Sequence, residues 1–383
     1  MFAKNKYLGV LACFLSTIYA CSGEQQEQAP LQIVLQDDDP AITRVTDSLD
    51  AFEIQILYTQ IERDQNDQPV FKDFEFQVND STYFYPASTV KFPIAVLTLE
   101  KLNLDNTYKG TTRFYVEGDS VETTFFNEVS KIFAVSDNDA YNRLFEFLGP
   151  DYINQQLHKK GLSPLRISHR LSTSDAYNVT TKPLVLYVND STVRQSEATV
   201  NQSPSRLELD GIIKGRGYME GDSLINEPFD FSEKNYLPVR TLHDLMKRVI
   251  FPEAFKPEEV FSLGEENRKF LLEAMHTLPE AAGYDPQHYY DSYGKFFMYG
   301  DSQDPLPSHI KIYNKVGYAY GTLTDCAYIV DTKNDIEFLL TATILVNSNG
   351  VFNDNNYEYD EIGIPFLAAL GRKIYQQELK NRR

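Results

Sequence analysis

The chain has 383 residues, 42% hydrophobic and 13% aromatic, with 25 Tyr, 25 Phe and no Trp, enough apolar material for a sizeable core and too much for a disordered chain. Asp and Glu total 55 against 36 Lys and Arg, a net charge of -19. Such a surface repels phosphate backbones, so no nucleic-acid partner is expected.

Lys4 and Lys6 give the chain a positive start, Tyr7 to Ala20 is an apolar stretch too short to span a bilayer comfortably, and Ala20 precedes Cys21. The segment resembles a bacterial lipoprotein signal. The resemblance implies removal of residues 1–20, lipidation of Cys21, and an exported protein anchored by lipid to the cell envelope, at the outer membrane or facing the periplasm. Residues 21–40, polar from Ser22 to Gln28 and acidic at Asp37-Asp38-Asp39-Pro40, read as a flexible tether. Only Cys326 then remains in the folded part, which excludes a disulfide framework. A monomer is the expected state.

In the folded part, Phe52 to Ile61 is rich in β-formers, and Phe74, Phe76 and Val78 alternate with polar neighbours after a turn-like Asp64 to Pro69, which predicts a hairpin. From Ser88 the pattern turns helical. Apolar residues at helical spacing run to stops at Gly149-Pro150, Gly161, Pro252 and Pro279. Strand character returns at Ile310 to Val316, Cys326 to Asp331 and Ile336 to Val346, before a helical Phe366 to Leu379. Strands at both ends with helices between predict an α/β (α+β) protein whose sheet pairs the two chain ends. A sheet lobe of residues 41–87 and 305–383 then faces a helical lobe of residues 88–304, together a domain over 41–383 with its cleft between the lobes. Residues 185–239, polar and without clear period, read as an insertion or lid near that cleft.

Ser88-Thr89-Val90-Lys91 places a hydroxyl and an amine one helical turn apart. Desolvation or a nearby cation lowers a lysine pKa, so Lys91 can accept the serine proton. Ser292 to Lys295 and Ser308 to Lys311 repeat the spacing, but in a Tyr/Gly-rich loop and just before a strand, where the turn geometry fails. Ser136-Asp137-Asn138 precedes another helix, and Lys315-Val316-Gly317 ends a strand. Each alone also fits an ordinary helix cap or strand end.

Taken in order, Ser-x-x-Lys, Ser-Asp-Asn and Lys-x-Gly resemble the penicillin-recognising serine hydrolases, and particularly the class A β-lactamases in a lipoprotein form. The resemblance spans roughly residues 45–184 and 240–380. It implies a β-lactamase/transpeptidase-like fold, an antiparallel five-stranded sheet flanked by terminal helices beside an all-helical lobe, with no cofactor or metal. Ser88 would form the acyl-enzyme with Lys91 as base or relay, and Ser136 would protonate the leaving nitrogen. Asn138 would hold Lys91 and a substrate amide, Lys315 would attract the substrate carboxylate, and Gly317 would let the strand approach closely. The backbone N–H groups of Ser88 and Tyr318 would face the oxyanion, each such donor being worth about 2.7–4 kcal/mol in comparable sites. The implied substrate is a β-lactam or a peptidoglycan-type small molecule.

Two departures stand out. Val316 occupies a position where the family usually has a hydroxyl, which Tyr318, Tyr320 or Thr322 would have to replace. The family's deacylating glutamate also has no clear match. Alignment on Arg170-Leu171 puts its place near Ser172 or Thr173, alignment on Asn178 puts it at Ser174, and the nearest carboxylate, Asp175, is the candidate base. Without an effective base, β-lactam turnover should be slow in deacylation. A D-Ala-D-Ala peptidase, an esterase or a non-catalytic binding protein on the same fold are the alternatives. The six histidines show no metal-ligand spacing, and Cys326 lies in an apolar strand that predicts a buried, inert thiol.

Overall fold

The computed structural model describes residues 29–381 other than 106 and 190; the stretch that resembles a lipoprotein signal, and Cys21 with it, lie outside the described residues. Five antiparallel strands form the main sheet: β1 (Gln55–Arg63), β2 (Pro69–Phe76), β3 (Ile310–Ala319), β4 (Thr322–Asp331) and β5 (Ile336–Leu345), in the order β3-β4-β5-β1-β2. The chain ends do meet in one sheet, through the pairing of β1 with β5. Alternation along each strand divides its residues between two cores, since successive side chains point to opposite faces. Ala327, Ile329, Phe338 and Leu340 pack with Phe366, Leu367 and Leu370 of the C-terminal helix. Cys326, Leu339 and Ile61 face the other way, into the core of the helical lobe.

That lobe contains α1 (Lys91–Asp105), α2 (Phe125–Val135), α3 (Asn138–Leu148), α4 (Val239–Ile250) and α5 (Gly264–His276). Helix α1 is buried on nearly every side, which explains why its apolar residues leave no polar stripe. The lobe is not all-helical. Arg113–Val116, Thr123–Thr124, Leu184–Asn189 and Thr192–Gln195 form a small four-stranded sheet on it.

The tether is shorter than the sequence reading set it. Leu31, Val34 and Leu35 are buried in the helical turn Pro30–Leu35, and Asp39 caps the next helix, Pro40–Thr46, by accepting from the Ala41 N–H at 3.0 Å. The cause is legible afterwards: Leu31, Val34 and Leu35 have i, i+3, i+4 spacing, and Asp-Pro is a helix start. Lys373 of the C-terminal helix pairs with Asp37 at 2.7 Å and clasps this segment to the sheet lobe.

Residues 185–239 split in two. The first part extends the small sheet, and the remainder runs along the cleft as a strap. Tyr83 N–H donates to Asp210 O at 2.8 Å, Tyr236 N–H to Arg166 O at 2.7 Å, and Val351–Phe352 pairs with Gly217–Tyr218. Backbone bonds therefore tie the strap to both lobes.

Candidate active site

Ser88 sits in a 3-10 turn, Ala87–Val90, that runs directly into α1. Ala87 has a left-handed backbone, φ 46°, which costs a non-glycine residue about 1–2 kcal/mol and aims Ser88 into the cleft. The turn is held by Thr89, whose N–H and hydroxyl both donate to Pro86 O, at 3.0 and 2.7 Å. Strand β3 lies against it. A Cβ at Gly317 would stand 2.6 Å from Pro86 O, 2.9 Å from Ser88 N and 2.9 Å from Thr89 N, all backbone atoms that cannot give way, so only glycine fits here. Because β3 is the sheet edge, alternate backbone groups lack a strand partner, as an oxyanion donor at Tyr318 requires.

Lys91 is fully buried. Its amine donates to the Ser136 carbonyl, to Asn138 Oδ1 at 2.7 Å and to Ser136 Oγ at 3.3 Å. Lys315 reaches the same hydroxyl from β3, at 2.8 Å, and also donates to Val316 O at 2.8 Å. Ser136 thus bridges the two lysines. It can do so because it ends α2 in a left-handed conformation, φ 56°, while Asp137 caps α3 on the Ala140 N–H at 2.8 Å. Burial pushes Lys91 down to about 7, against a smaller opposing pull from Asp137. Burial first, and then the Lys91 charge, hold Lys315 well below the ordinary lysine range. Behind β3, the buried Lys295 donates to Asn314 Oδ1 at 2.6 Å, and Asn314 donates to the buried Asp325 at 2.8 Å. This spends the Lys295 repeat of the Ser-x-x-Lys spacing on structure.

Asn138 turns its amide NH2 toward Ser172 Oγ, at 3.0 Å. Ser172 therefore stands where the alignment on Arg170-Leu171 put the missing carboxylate, facing the Lys91–Asn138 pair. Asp175 does not line the cleft with Ser88. It faces a separate cavity of about 330 Å³ beyond Ser172 and Thr173, where its carboxylate pairs with Lys182 at 2.7 Å and accepts from Thr173 Oγ1 at 2.6 Å. The Lys182 and Thr173 bonds hold it down at about 2, so it is a weak base aimed away. The expectation of a base at Asp175 is corrected on this geometry. Sequence adjacency favoured it because it is the one acid in the loop, and the loop's turn points it outward.

The loop is firmly held nonetheless. Arg170 forms a buried fork with Glu146 of α3, at 2.6 and 2.9 Å, and also donates to Asn178 O at 2.6 Å and Thr180 O at 3.0 Å. Asn142, one turn along from Asn138, exchanges two 2.9 Å bonds with the Leu171 backbone.

The cleft has two compartments. Ser88, Asn138, Ser172 and Tyr85 line one of about 540 Å³, whereas Ser136, Lys315 and Val316 line one of about 280 Å³; Tyr318 and Tyr359 line both. Of the three residues offered to replace the hydroxyl missing at Val316, Tyr318 alone lines the Lys315 compartment. Tyr320 packs on Tyr85 at 4.9 Å instead, and Thr322 is buried. Among the described residues, no group of three or more His, Cys, Asp or Glu is close enough together to hold a metal ion. Sequence reasoning missed Lys234 and His169, which line the larger compartment; nothing in the pattern of the insertion marks Lys234.

A model of the Beta-lactamase enzyme family matches residues 41–260. This is more than half of the chain, and the chain belongs to that family. Among solved structures it is similar to a β-lactamase from Sphaerobacter thermophilus DSM 20745, at 13% identity and a TM-score of 0.52 over 91% of this chain and 96% of that one. It is also similar to PBP-A, at 15% identity and a TM-score of 0.51 over 92% and 96%. At these identities the likeness is one of fold, and the fold is the β-lactamase/transpeptidase-like one. No curated protein matches the sequence.

Proposed function

We propose that the protein is a serine acyl-enzyme hydrolase of the class A type that β-lactams acylate at Ser88 and that releases the acyl group slowly. The observation that carries this reading is Ser136 Oγ lying within hydrogen-bond distance of both lysines, 3.3 Å from Lys91 and 2.8 Å from Lys315. With its pKa near 7, Lys91 is neutral in a substantial fraction of molecules and takes the Ser88 proton as Oγ bonds to the carbonyl carbon. The proton passes to Ser136 Oγ, whose own proton goes to the leaving nitrogen as the C–N bond breaks. A substrate carboxylate docking at Lys315 raises that amine's pKa, because an opposite charge favours the ionised form.

Release requires water to add to the ester and Oγ to leave with a proton. Ser172, facing Asn138 at 3.0 Å, brings no carboxylate to activate that water. The same observation favours a second reading, a D-Ala-D-Ala peptidase of the cell wall, for which a long-lived β-lactam adduct is inhibition. The lipoprotein-like leader is consistent with either at the cell envelope. Intact-mass measurement with benzylpenicillin tests the reading: wild type should gain the mass of one penicillin and keep it through repeated washing, and Ser88→Ala should gain none. Equal labelling of the variant would remove Ser88 from the chemistry.

A further inference from the structure

The larger compartment has an unusual charge. Although 55 of the 383 residues are acidic, no Asp or Glu among the described residues lines it, whereas His169, Arg170 and Lys234 do. Arg170 is spent on Glu146. Burial first, with the nearby positive charges of Lys234 and Arg166, pushes His169 down to about 4, so its ring is neutral, with Nδ1–H donating to Arg170 O at 2.7 Å. That leaves Lys234, which has no carboxylate partner among the described residues. Its amine donates to the Tyr177 hydroxyl and stands 5.1 Å from the Tyr177 ring centroid, 5.6 Å from that of Tyr320 and 5.7 Å from that of Phe229. An ammonium has three donors. The rings hold it in place and strip part of its water, which strengthens its attraction for an anion.

The position follows from the chemistry of the other compartment. Ser136 protonates the leaving group, so the leaving group lies with Ser136 and Lys315, and the acyl portion retained on Ser88 extends along the larger compartment. Its wall is continuous from Tyr85, three residues before Ser88, through Tyr320 to Lys234. Resting on the proposed acylation of Ser88, we infer that Lys234 is the counter-ion for a negative charge on the acyl side of the substrate, and that the preferred acyl donors carry a carboxylate there.

Benzylpenicillin and carbenicillin differ by one such carboxylate. The test compares their acylation efficiencies by quenched intact-mass time courses, for wild type, Lys234→Met and Lys234→Arg. The carbenicillin-to-benzylpenicillin ratio should fall about fivefold in Lys234→Met, the scale of one partly screened ion pair, and be retained in Lys234→Arg. In wild type alone the ratio should fall as salt is raised. A ratio unchanged by Lys234→Met and by salt would overturn the inference. If neither compound labels wild type, the Ser88 reading has failed. Calorimetric binding of the same two compounds then decides the Lys234 inference: a ratio that depends on Lys234 supports it, and equal or absent binding overturns it.

Discussion

The two segments that flank Ser88 hang from the same helix and bring it different chemistry. The Ser136–Asn138 turn, at the N-terminus of α3, gathers the cations of the site: the Ser136 hydroxyl accepts from both Lys91 of α1 and Lys315 of β3, and the Asn138 amide oxygen accepts from Lys91. The loop from His169 to Asn178 lies against the same face of α3, held by Asn142 and by the Arg170–Glu146 fork. It presents Ser172 to the site and turns its one carboxylate outward. The frame of a loop and its chemistry are therefore separable. The frame depends on a buried ion pair and backbone bonds, and water activation depends on a single side chain.

Four substitutions break or sharpen this contrast. The largest effect is expected from Glu146→Ala, which strands the buried Arg170 charge and should cost about 3–5 kcal/mol in denaturant unfolding. If it costs less than about 1 kcal/mol, the fork is not what frames the loop. Gly317→Ala pushes β3 off the Ser88 turn, since the new methyl meets only backbone. Acylation should slow about 100-fold, and an unaltered rate would mean that the close approach is dispensable. Ser172→Glu puts a carboxylate beside Asn138 and should shorten the acyl-enzyme lifetime at least about tenfold; no change would show that something other than a missing base limits release. Asp175→Asn should be nearly silent. Its pair with Lys182 is 30% and 48% exposed, so its loss should cost under about 1 kcal/mol, and a markedly longer acyl-enzyme lifetime would return Asp175 to the mechanism.

Much of the sheet lobe was legible because its strands are long and carry β-formers: the expected strands at Ile310, Cys326 and Ile336 became β3, β4 and β5. Arg113–Val116 was not, because four residues give no period to read. That Lys91, Ser136, Asn138 and Lys315 meet was expected from the family resemblance of the motifs taken in order, and not from the spacing within any one of them. Whether Ser172 or Asp175 faces Ser88 depends on the path of a loop with left-handed backbone at Ser172, φ 51°, and composition carries no trace of that. Lys234 enters the cleft only through the long-range pairing of the strap with Tyr83, Arg166 and Val351.

The central claim is that a neutral Lys91 activates Ser88, and the rate of acylation against pH measures it most directly. Burial holds Lys91 at about 7, and only the deprotonated amine can accept the serine proton. Quenched intact-mass time courses with benzylpenicillin should therefore show a rate that rises tenfold per pH unit below that value, levels above it, and loses this limb in Lys91→Met. A flat profile between about pH 5 and 9, where a group titrating near 7 must show itself, or a Lys91→Met variant acylated as fast as wild type, would contradict the account.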